Sequence, residues 1–153
     1  MRLYCALCLC AALAGGARAA APSTFGVTVG HALLCLNQLD EAWYYDYLQN
    51  AFGKPYKREG GAWWFKSDAS LWGAPVTDVL VSEPNSDFSF LAAVVDVTPE
   101  VLSEAVQAGS GIPYAKVQSG PYPMRQSNPG SQIIYFQRKA KIFCAKNRFL
   151  RPW

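Results

Sequence analysis

The sequence predicts an α+β domain, with two helices packed on one face of a mostly antiparallel sheet of about five strands, in the order α-β-β-β-α-β-β. Three observations carry this. Apolar residues recur at helical spacing from about Val29 to Phe52. The period drops to two between Tyr56 and Val97, and again from Ser131 to Ala145. Between these β stretches, Thr98-Pro99-Glu100 opens a second helix. Consecutive strands joined by tight turns pair antiparallel, and the helices then cover one side.

At 100° per residue, Val29, Ala32, Cys35, Leu36, Leu39, Trp43 and Tyr47 fall on one face of the first helix. Thr28 is a candidate N-cap, and Gly53 with Pro55 ends the helix. Glu59-Gly60-Gly61 interrupts an aromatic stretch over Tyr56–Lys66, which reads as a hairpin or one bulged strand, because paired glycines permit positive φ. Val76–Ser82 is the next strand, and the 83–87 run Glu-Pro-Asn-Ser-Asp is a turn. Phe88–Val97 is apolar on both parities, which suggests a central strand. In the second helix Thr98 caps, Pro99 suits the first turn, Glu100 faces the positive helix end and Gly109 closes. A Gly- and Pro-rich loop follows, around a short strand near Ala115–Gln118. Ser131–Ala145 is one long strand or two short ones, with Ile134, Phe136, Arg138, Ala140, Ile142 and Cys144 on one parity.

The 153 residues divide into a leader, 1–21, and a single disulfide-stapled domain, 22–153. Arg2, an uncharged run from Leu3 to Ala14 and the small residues up to Ala21 have the pattern of a secretory signal peptide. The run is shorter than the roughly 20 residues that cross a bilayer, so no membrane span is expected after processing. Cys5, Cys8 and Cys10 leave with the leader. Cys35 and Cys144 remain, and an even pair in an exported chain reads as a disulfide. The destination is periplasmic or extracellular. Charge is split along the mature chain. All 11 acidic residues lie before residue 105, whereas 105–153 holds eight basic ones and no acidic one. The two parts either neutralise each other or leave a basic face for an acidic partner.

No nucleophile elbow, P-loop, dinucleotide, zinc-protease or EF-hand pattern occurs. One histidine, His31, leaves no material for a multi-histidine metal site, so neither a metal nor a cofactor is expected. The densest aromatic patches supply a candidate binding surface at Tyr44, Tyr45, Trp63 and Trp64. Strand alternation sends one of the two tryptophans to each face. Asp46 and Arg138, each the odd charge on an inward face, form a candidate buried ion pair. The expected function is non-enzymatic binding by a small exported protein of inhibitor, immunity or envelope-associated type. Its partner would be another protein or an envelope glycan, a homodimer is allowed, and nucleic acid is not expected. The competing expectation is an exported hydrolase that uses His31 and the helix carboxylates Asp40, Glu41 and Asp46.

Overall fold

The computed structural model describes residues 20–148. The expected leader, up to residue 19, and the tail from 149 lie outside the described residues. Among the described residues three helices, α1 (Phe25–Leu33), α2 (Glu41–Phe52) and α3 (Pro99–Ser110), accompany nine strands. The strands are β1 (Lys57–Glu59), β2 (Ala62–Lys66), β3 (Ser70–Leu71), β4 (Ala74–Ser82), β5 (Phe88–Val95), β6 (Ala115–Lys116), β7 (Arg125–Gln126), β8 (Gln132–Phe136) and β9 (Lys139–Asn147). Every pairing is antiparallel, in the spatial order β1-β2-β4-β5-β9-β8-β7-β6, with β3 on β4.

This corrects the expected architecture of two helices, about five strands and the order α-β-β-β-α-β-β. The first helical stretch is two helices. Cys35 takes a left-handed backbone, φ 61°, which no helix continues through. Asp40 then caps α2, its carboxylate accepting from Trp43 N at 3.0 Å. The break shifts the phase, so Leu36 and Trp43, expected inside, are each half exposed. The short strand expected near Ala115–Gln118 is β6, whereas β3 and β7 are additions to the expected order and are two residues long, too short for alternation to show.

One face of the sheet carries the main core. Phe65, Val79, Val81, Leu91, Ala93, Val95, Ile133 and Ile142 are buried there beneath Val29, Leu33, Leu48, Leu102 and Val106 of the helices. Trp72 lies between helices: a Cβ added at Gly30 of α1 or at Gly109 of α3 would meet its ring, at 3.7 and 3.0 Å. Thr98 caps α3 as expected, and the helix closes at Gly111, φ 74°, two residues later than Gly109. The disulfide Cys35–Cys144 is formed, with Cα atoms 5.3 Å apart, and it ties the α1–α2 link to β9.

The acidic and basic parts of the chain are joined by three of the six ion pairs among the described residues. These are Arg125–Glu100 at 2.9 Å, Lys139–Asp96 at 3.3 Å and Arg148–Glu41 at 2.8 Å. Neutralisation therefore absorbs part of the charge split, and Lys141 is not among the residues it pairs.

Candidate functional site

Among the described residues no helix covers the second face of the sheet. Its register aligns Lys57, Trp64, Leu80, Ala92, Phe143 and Gln132 in one row across six strands. Antiparallel sheets often leave such a face polar and wet. Here it is apolar: Ala62, Trp64, Leu80, Ala92 and Val94 are buried, with Phe90, Phe136 and Phe143 against them.

Curvature explains how an uncovered face buries anything. From β2 to β8 there are four inter-strand steps, about 19 Å across a flat sheet. Yet the Trp64 ring of β2 and the Phe136 ring of β8 have centroids 6.1 Å apart. The sheet is therefore rolled over this face until rings from distant strands touch. The register shift between Val76 and Asp78 in β4 contributes, because a bulge bends its strand and raises the local twist. The roll encloses an open groove of about 820 Å³, floored by Leu80, Ala92 and Phe143 and reaching Phe88 at the far end of β5.

Two ammonium groups sit on the rings. Lys57 Nζ lies 3.9 Å from the Trp64 ring centroid and bonds Glu59 Oε2 at 2.7 Å. Lys141 Nζ lies 3.9 Å from the Phe136 centroid and 5.3 Å from that of Trp64. Among the described residues Lys141 has no ion-pair partner. Burial, and secondarily the Lys57 charge, push its pKa down from the ordinary lysine value. Trp64 is held in place by its indole N–H, which donates to Glu59 O at 3.0 Å. Outside the groove lining, beside Lys66 and Val94 in the sheet, Asp78 accepts from Tyr56 Oη at 2.7 Å, Lys66 Nζ at 2.8 Å and Thr77 Oγ1 at 2.8 Å. Burial raises its carboxyl, but these hydrogen bonds outweigh it and hold the pKa below the ordinary range.

A second polar cluster lies on the helical side. Glu100, at the start of α3, accepts from buried Arg125 Nη2 at 2.9 Å and from the Tyr135 hydroxyl. The Tyr135 hydrogen bond is the main reason its carboxyl is lowered to about 2. Its partners are already protein groups, so it joins α3 to β7 and β8 and presents no vacant chemistry.

The residues expected from the sequence are dispersed. Trp64 reaches the groove, whereas Trp63 faces the helices beside Tyr45, ring centroids 5.7 Å apart. Tyr44 is buried, its hydroxyl donating to Thr28 O at 3.3 Å, and burial raises its pKa. The four aromatics thus do not form one surface. The buried Asp46–Arg138 pair is not formed: both residues are exposed. Gln137 and Arg138, with φ 49° and 68°, make the two-residue turn between β8 and β9, which turns Arg138 out to solvent. His31 is exposed at the end of α1, Asp40 is an N-cap, Glu41 pairs with Arg148 and Asp46 is exposed. No hydrogen bond or ion pair among the described residues joins His31 to these carboxylates.

Sequence reasoning missed Phe136, Phe143 and Lys141. The available signal was the strand Phe88–Val95, apolar on both parities, which announces a second apolar face. Among the described residues no three His, Cys, Asp or Glu side chains gather where they could hold a metal ion, and no helix is long and apolar enough to cross a membrane. Compared with protein-family models, with curated proteins and with solved structures, the chain matches none.

Proposed function

We propose that this chain is an exported binding protein and that the rolled, helix-free face of its sheet is the binding surface. The contact between Trp64 and Phe136 across four strand spacings carries the reading. It marks a groove built by deformation of the whole sheet, of the volume and apolar character usual for small-ligand sites. Export is supported by the leader pattern over 1–21 and by the disulfide. The partners expected from the sequence, a protein or an envelope glycan, fit this lining less well. A glycan asks for several side-chain donors and acceptors, and the floor offers mainly apolar surface. A second copy face to face would bring two unpaired Lys141 charges together, which is unfavourable in an apolar contact.

The test fills the groove. Ala145 is exposed on the same face and lines the groove, so Ala145→Trp blocks it without entering the packed floor. Disulfide-intact wild type and A145W are incubated with secreted or envelope extract. Bound components, small molecules included, are identified by mass spectrometry. A component held by wild type and lost from A145W is expected. Equal retention by both proteins would refute the proposal.

A further inference from the structure

Resting on that reading, we infer that the ligand is a monoanionic amphiphile with an extended apolar chain, a long-chain carboxylate, whose head binds Lys141 and whose tail runs along β5 towards Phe88. The argument for the charge begins with what Lys141 lacks. Lys57, Lys66 and Lys139 each have a carboxylate within ion-pair distance, at 2.7, 2.8 and 3.3 Å. Among the described residues Lys141 has the faces of Phe136 and Trp64, at 3.9 and 5.3 Å, and of carboxylates only the longer-range attraction of Glu59, which is not within ion-pair distance. Rings offset part of the cost of taking an ammonium out of water, and a carboxylate offsets more. Among the described residues the groove lining holds two ammonium groups and one carboxylate, Glu59, which Lys57 already engages. One added negative charge completes it.

The same count argues against a dianionic head. A phosphate presents three acceptor oxygens and is usually met by several donors, often arginine. Among the described residues no arginine lines the groove. The length argues for a chain over a compact ring system. Lys141 pairs with Val94 of β5, and Phe88 lies six residues back along that strand, so the groove extends on the order of 20 Å. Its floor is apolar over that distance, through Phe90 and Ala92, and Phe88 at the far end stays half exposed. Such an end would receive the tail of a chain.

The experiment titrates disulfide-intact, full-length mature protein with dodecanoate, with 1-dodecanol and with acetate. Binding is followed by NMR of the Ile134, Ala92 and Ala145 methyl groups on the groove face and the Ile133 methyl groups on the helical face. Dodecanoate should shift the groove methyls saturably and bind at least about tenfold tighter than dodecanol, as expected for one charge-assisted contact. Acetate should not bind measurably. Lys141→Met, which keeps the apolar stem, should abolish the preference for dodecanoate, and Lys141→Arg should restore it. Lys139→Met, at a lysine already paired with Asp96, should leave it unchanged.

Equal affinity for dodecanol and dodecanoate at the groove methyls would overturn the carboxylate and leave the binding surface standing. Absence of any amphiphile-induced shift, with a native protein partner lost from A145W, would overturn the inference and again leave the surface standing. Broadening of the groove methyls with protein concentration alone would place a second copy there and overturn it as well. Only retention of the native component by A145W removes the surface itself.

Discussion

Replacing both cysteines, Cys35→Ala with Cys144→Ala, should cost this domain much of its stability. The bond closes a loop of 109 positions. In the chain-entropy treatment a loop of that length, released in the unfolded chain, corresponds to about 4.8 kcal/mol at 25 °C, an upper figure because unfolded chains keep residual structure. Stabilities of domains this size run from about 5 to 15 kcal/mol, so the tie is a large part of the total. The structure says where the loss is felt. Cys144 is fully buried in β9, a central strand, and Cys35 lies in the link between α1 and α2. Both helices are thereby held to the sheet at one point. Guanidinium unfolding of the oxidised wild type and of the variant measures the effect. A loss of about 3–5 kcal/mol is expected, with a larger m value in the variant, because its unfolded chain is less compact. A loss below about 1 kcal/mol would refute the reasoning. A large loss with unchanged m would place the effect in the native state and refute the entropic part of it.

Acid should weaken the join between α3 and the sheet. Glu100 has its pKa lowered from 4.5 to about 2, so its stabilisation is complete above pH 4.5 and is lost as pH falls from there through 2. Urea midpoints against pH should fall more steeply for wild type than for Glu100→Gln in that window, and parallel curves would contradict the assignment. Gln137→Asn with Arg138→Gly should stabilise by about 1 kcal/mol, since both positions hold positive φ in a two-residue hairpin turn. Thermal unfolding reads the gain, and none would mean that the turn is not of that type. Asp78→Ala removes a buried carboxylate with three side-chain donors and should cost about 2–3 kcal/mol in urea unfolding. Asp46→Ala and Arg138→Ala, at exposed positions, should each stay within about 0.5 kcal/mol, and a loss of about 3–5 kcal/mol from either would reinstate the buried pair.

Local chemistry was legible in the sequence wherever a single residue type determined the backbone. Thr98 with Pro99 and Glu100 started α3 where expected, and Gly60-Gly61, with φ 63° and 71°, made the β1–β2 turn. The Cys35–Cys144 bond was legible from the count of two cysteines left after the leader. The α1–α2 break was harder. Cys35 is not a residue type that signals left-handed backbone, and the cap at Asp40 was hidden inside a continuing apolar pattern. The one available cue was Asp40 followed by Glu41, an N-cap and a first-turn acid.

The groove was illegible for a related reason, and the residue pair responsible can be named. Read as one strand, 131–145 places Phe136 and Ile142 on the same parity. The two-residue turn at Gln137-Arg138 pairs Phe136 with Lys139 and so exchanges the faces. Ile134 and Phe136 pass to the helix-free side, while Ala140, Ile142 and Cys144 stay inside. Lys141 goes with the first group. Read as a solvated lysine, it would make the odd parity of the last strand polar and the outer face unremarkable. Placed beside Phe136 and Trp64, it is a half-buried cation on a mostly apolar surface. An exposed apolar patch favours nonspecific association, and on the proposed reading like charges at Lys141 would oppose it between copies. The same charge becomes an attraction when the arriving molecule is a carboxylate. On the proposed reading, the charge that disfavours a second copy on this face is therefore also the charge that would select a carboxylate ligand.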